Sequence, residues 1–154
     1  MNPKISFVFI TMLLFFQLHT TAQTYKHQIG IRLGSSEQVI SSGISYRYLF
    51  STNKAVEGIV NLRNEAIAVG ALYEIFQPIS SVKNLQWYYG GGAYIGFMGF
   101  DNFGVMGIAG LDYQFTEVPV NLSIDWKPEL NLIEGVNFRA STVAVSIRFA
   151  LAKK

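Results

Sequence analysis

His27, the aspartates Asp112 and Asp125, and the run Tyr88-Tyr89-Gly90-Gly91-Gly92-Ala93-Tyr94 are where the residue types of this chain could do chemistry. A nucleophilic hydrolase needs a histidine within reach of an activated hydroxyl and a carboxylate to orient the ring. His27 is followed by Gln28-Ile29, has no serine close in sequence, and falls in phase with Tyr25 and Ile29. It reads as a boundary residue on an apolar face. Asp112 and Asp125 could form an acid and base pair, but both share the polar phase of their segments with basic residues, so structural ion pairs are expected. The glycine run lacks the Gly-Lys-Ser/Thr ending and the following helix of a phosphate loop. In a strand, such glycines make room, here for Tyr88 and Tyr94. The chain has no cysteine, no clustered histidines and no calcium-loop spacing, so no metal site or cofactor is expected.

The elements that must hold these residues begin after a leader. Lys4 supplies a positive head, residues 5–18 (ISFVFITMLLFFQL) are an apolar run, and Thr20 and Ala22 stand at −3 and −1 of a cut before Gln23. This is the pattern of a secretory signal peptide, 1–22, too short to span a bilayer as a helix. Residues 23–154 then form one domain, held together without disulfides. Without Lys4, 11 Lys and Arg stand against 10 Asp and Glu, a net charge of +1. No basic surface for nucleic acid is implied. Those 21 charged residues are about half of the roughly 25–35% expected on a water-facing surface, so much of the surface is expected to face something other than water.

Eight alternating segments recur, at 25–33, 38–50, 55–63, 66–76, 85–97, 104–115, 120–127 and 139–151, separated by turn residues. Period-two alternation with short connections predicts an all-β fold, an eight-stranded antiparallel up-and-down barrel. Alternation alone leaves open which face is inside. The apolar phase is bulky, for example Ile44, Tyr46, Tyr48 and Phe50, or Leu111, Tyr113 and Phe115. An eight-stranded barrel has an interior barely wide enough for side chains, so that set would overfill it. The apolar phase is therefore expected outside, facing lipid, in a transmembrane barrel. In VNLSIDWKP (120–128), Asp125 and Lys127 then look inward and Trp126 outward. Strand direction also gathers Tyr25, Tyr48, Phe50, Tyr73, Trp87, Tyr89, Tyr113, Phe115 and Phe149 at one rim, as an aromatic girdle at a membrane boundary requires.

By the same phase, Lys26, Arg47 and Arg148 fall near the inner end of the lumen with Glu57, Glu74 and Asp112. Three positive and three negative groups confined there are expected to pair, since an isolated buried charge is too costly. That would leave a plugged, non-conducting interior. The longest connection on the opposite side, PELNLIEGVNF (128–138), carries Leu130, Leu132, Ile133 and Val136 and is expected to be an extracellular loop, folded over the mouth or docking a surface partner.

In its leader, its eight alternating segments and its last strand TVAVSIRFAL, with outward Val143, Val145, Ile147 and Phe149, the chain resembles the small eight-stranded outer-membrane proteins of Gram-negative bacteria, the OmpX/OmpA type. The resemblance implies residence in the outer membrane, contact with its lipid and assembly by the barrel-assembly machinery. It lacks the long protruding loops of adhesion-type members. The expected function is a non-enzymatic integral outer-membrane barrel with a structural or surface-interaction role. A narrow conduit for small hydrophobic molecules and a barrel enzyme that modifies lipid A are the alternatives.

Overall fold

Asn121, Ser123 and Asp125 are buried, while Leu122, Ile124 and Trp126 of the same strand are exposed. That inversion repeats around the molecule and sets its architecture. The computed structural model describes residues 25–35, 39–63, 66–97, 103–133, 136–140 and 143–151, without the side chains of 62, 63 and 66. The expected signal peptide, 1–22, lies outside these residues. Ten strands are described: β1 His27–Gly34, β2 Gly43–Ser51, β3 Lys54–Arg63, β4 Ala66–Pro78, β5 Leu85–Phe97, β6 Phe103–Gln114, β7 Val120–Trp126, β8 Glu129–Asn131, β9 Asn137–Arg139 and β10 Val143–Leu151. Eight of them run β5-β4-β3-β2-β1-β10-β7-β6, and β5 pairs with β6 to close the ring. Every pairing is antiparallel. The closed eight-stranded barrel therefore leaves no open edge along its wall.

The two short strands lengthen this barrel rather than add to it. Trp126 lies opposite Ala109 and Glu129 opposite Met106, so β7 and β8 meet β6 in one unbroken register. Gly107 N donates to the Pro128 carbonyl at 3.0 Å between them. On the other side, β9 and β10 follow the same path with one extra residue, since Glu129 faces Arg139 and Trp126 faces Val143. One hairpin thus rises at the rim opposite the chain termini. The loop expected at 128–138 is corrected to this hairpin, because proline at position 128 removes a donor but does not stop its carbonyl from extending the ladder. Val105, Leu130 and Phe138 stand side by side on its outer face, and Leu132, Ile133, Val136 and Phe138 are exposed.

A second correction concerns the expected strand at 38–50. Its described part enters β2 only at Gly43, and Val39, Ile40 and Ser41 turn into the lumen, where each is buried. Asn61 Nδ2 donates to the Val39 carbonyl at 2.7 Å, and Ile40 N donates to Glu129 Oε1 at 3.3 Å. The β-branched pair Val39-Ile40 suits a strand by residue type but fills the upper lumen. Ile40, Met106 and the missing side chain of Gly70 meet there, since a Cβ on Gly70 would lie 2.8 Å from Met106 Cε.

The rest of the lumen is filled from the strands. Tyr88 and Tyr94 point inward and are buried. The glycines of β5 expected to make room for them instead let the β4 backbone approach, since a Cβ on Gly90 or Gly92 would meet the Tyr73 or Ala71 carbonyl. A Cβ on Gly104 would fall 2.5 Å from the Tyr94 hydroxyl, so only glycine fits opposite that ring. Phe76 stacks on Tyr88 at 5.2 Å between centroids.

Candidate functional site

The inward phase of β2, β3, β4, β6 and β10 brings five charged side chains into one buried network. Arg47 sits at its centre. Its Nη1 donates to Asp112 Oδ1 at 2.7 Å, its Nη2 to Glu57 Oε2 at 3.0 Å, and its Nε lies 2.8 Å from Glu74 Oε2. The guanidinium carbon also lies 5.2 Å from the ring centroids of both Phe76 and Tyr88. Arg148 completes the group, with Nη2 donating to Glu57 Oε1 at 2.6 Å, Nε to Ser45 Oγ at 2.8 Å and Nη1 to Ser123 Oγ at 2.7 Å. Asn121 Nδ2 holds the second oxygen of Asp112 at 2.7 Å. Bidentate and multiply bonded groups of this kind offset the desolvation of the charges they bury.

Of the six interior charges expected from the sequence, Arg47, Glu57, Glu74, Asp112 and Arg148 are these five. Lys26 is not part of the network. It precedes β1, half-buried, and although its carbonyl accepts from Leu49 N at 2.8 Å in the β1–β2 register, its side chain makes none of the network's contacts. Two further pairs went unnamed in the sequence reading. Arg32 grips Asp125 through two bonds, at 2.7 and 2.5 Å, and Tyr88 Oη donates to the same carboxylate at 3.0 Å. Lys127 pairs with Glu129. Arg32 was not among the expected interior charges, and its partner lies 93 residues away, a distance that alternation cannot bridge. Asp112 and Asp125 therefore serve separate arginines and do not form an acid and base pair.

At the rim that bears the termini, the network opens into a cavity of about 250 Å³. Gln28, Asn84, Gln86 and Gln114 line its wall with carboxamides, and Arg47 and Asp112 reach it from the network. Leu49 and Phe76 add apolar surface, and so does Tyr25. Tyr25 thus departs from the expected aromatic girdle. It precedes β1 and is half-buried beside the cavity.

The remaining rim aromatics lie on the outer face in contacting pairs. Phe50 and Tyr73 lie 5.9 Å apart, Trp87 and Tyr89 5.2 Å, and Tyr113 and Phe115 4.9 Å. Tyr48 stacks at 4.9 Å on His27, and Phe149 is exposed on β10 beside them. His27 itself has Nδ1 2.7 Å from the Tyr46 hydroxyl, which anchors the ring among aromatics on the outer wall. Among the described residues, no group of histidine, cysteine and carboxylate side chains could hold a metal ion.

No family model matches the chain, and no curated protein matches it. Among solved structures, it is similar in fold to the crystal structure of Neisserial surface protein A (NspA), with a TM-score of 0.48 and 14% identity over 81% of this chain and 94% of that one.

Proposed function

We propose that the protein is a non-enzymatic integral barrel of the outer membrane, with a plugged interior and a structural or surface-interaction role. One observation carries this reading. Around the closed wall, large apolar side chains are exposed and charged ones are buried, as with Ile147 at 43% and Arg148 at 0%. A barrel stable in water would reverse that arrangement, whereas a lipid-embedded barrel requires it. The aromatic rim with its short turns marks the periplasmic end, and the taller hairpin of β7–β10 the outer one. The outer face of that hairpin, Val105, Leu130 and Phe138, continues the apolar wall and fits contact with outer-leaflet lipid. Its more exposed tip, including Val136 at 77%, is the part left for a surface partner.

The plug rests on the buried segment Val39–Ser41 above, the Lys127–Glu129 and Arg32–Asp125 pairs below it, and the Arg47 network beneath. Eight strands leave no room for these groups and a water channel as well. A charged lumen does not suit a conduit for hydrophobic molecules, and His27, the histidine an enzyme would need, stands on the outer wall. Fractionation of cells expressing the full chain tests the reading. The protein should be recovered in the outer membrane, shortened at its start, and should migrate differently on a gel before and after boiling. Recovery as a periplasmic protein that needs no detergent would overturn it.

A further inference from the structure

The Arg47 network sets two guanidiniums, Arg47 and Arg148, against three carboxyls, Glu57, Glu74 and Asp112. An uncompensated charge in a confined site is costly, so the surplus carboxyl is neutralised by a proton or by a cation that enters through the open mouth. The cavity wall carries a group that favours the cation. Gln114 gives its Nε2 to the main-chain carbonyls of Phe115 and Val120, at 3.2 and 3.0 Å, which leaves its Oε1 free to accept. Gln28 Nε2 donates to that oxygen at 3.3 Å, and this fixes which end of the Gln28 amide is which. Gln28 Oε1 is then a buried acceptor without a donor, on a residue only 5% exposed that lines the cavity. A buried acceptor left unmet is unfavourable and calls for a donor.

The complementary anion is disfavoured by the same geometry. Every nitrogen of the Arg47 guanidinium already faces a carboxylate, so the cavity floor offers no spare cationic donor. We propose that this mouth is a binding site for a small organic ammonium ion, a primary amine of about the size of a diamine. Its N–H groups would donate to the side-chain oxygens of Asn84 and Gln86 and, once the Gln28 side chain turns toward the cavity, to Gln28 Oε1. Its charge would compensate the surplus carboxyl, and its methylenes would lie against Leu49 and Phe76. The volume of about 250 Å³ exceeds what a bare metal ion needs and accommodates a short carbon chain. That this mouth opens to the periplasm rests on the orientation proposed above; the binding itself does not.

The test is calorimetric titration of putrescine into the purified, folded barrel in detergent, with 1,4-butanediol as the uncharged analogue of the same shape and sodium chloride at matched ionic strength as the control for screening. Saturable putrescine binding is expected, at least tenfold weaker for butanediol and at least tenfold weaker in Gln28→Met. Gln86→Met, at the edge of the cavity, is a second variant with a smaller expected loss, and it carries the test alone if Gln28→Met does not give a heat-shifted barrel. Absence of saturable binding, equal binding of butanediol, heats reproduced by sodium chloride, or unchanged affinity in the folded variants would overturn the proposal.

Discussion

Glu57 and Glu74 are both buried carboxyls on Arg47, yet they are not equivalent. Glu57 bridges two arginines, and the described contacts give Arg148 no other carboxylate. Glu74 serves Arg47 alone, which also holds Glu57 and Asp112. Removing one partner of a buried ion pair costs about 3–5 kcal/mol when it strands the other charge. Glu57→Gln should therefore lose about that much in urea titrations of the folded barrel. Glu74→Gln should lose clearly less, because it leaves two carboxylates for two guanidiniums. Equal losses would mean that the two carboxyls share their partners more evenly than the distances indicate. At this scale, alternation in the sequence was enough to say that Arg47, Glu57, Glu74, Asp112 and Arg148 point inward. It could not say who pairs with whom, since partners such as Arg148 and Glu57 lie 91 residues apart. Nor could it say that Lys26, whose carbonyl still accepts from Leu49 N in the ladder, stays out of the network, or that Tyr25 lines the cavity.

The last strand carries the same logic to the element. β10 closes the ring by pairing with β1 on one side and β7 on the other, and Ile147 sits between Ile31 and Leu122 on the outer face. Ile147→Arg would place a charge on that face, at a cost of up to ~2–4 kcal/mol at mid-depth in lipid. The heat-shifted fraction after refolding into lipid vesicles should fall accordingly. The hairpin above the rim behaves differently. β7 and β10 pair over seven residues below it, from Trp126–Val143 to Val120–Phe149. Deletion of residues 132–136 should leave a normal heat-shifted barrel, and loss of the heat shift would show that the hairpin takes part in closure. Its strands were hard to see in advance because Pro128 looks like a break and three-residue strands carry little periodicity. The segment Val39–Ser41 misled for the opposite reason, since its residue types suit a strand while its side chains fill the lumen.

For the whole molecule, class was legible from volume alone. The bulky phase could not fit inside eight strands, and the structure puts it outside, with Tyr88, Tyr94 and the charge pairs as the packed interior. A lumen so filled should pass no current. Purified protein in a planar bilayer is expected to give no steady single-channel steps, and regular open-channel currents would show that the packed layers move apart in the membrane. The central claim, that the apolar wall faces lipid, can be read most directly from the chain's own fluorescence. Its two tryptophans, Trp87 and Trp126, are both on the outer face, 44% and 46% exposed, on β5 and β7. In vesicles made with lipids brominated on their acyl chains, their emission should be strongly quenched, with little further quenching by acrylamide in the water. Emission untouched by brominated lipid but quenched by acrylamide would place that wall in water and contradict the account.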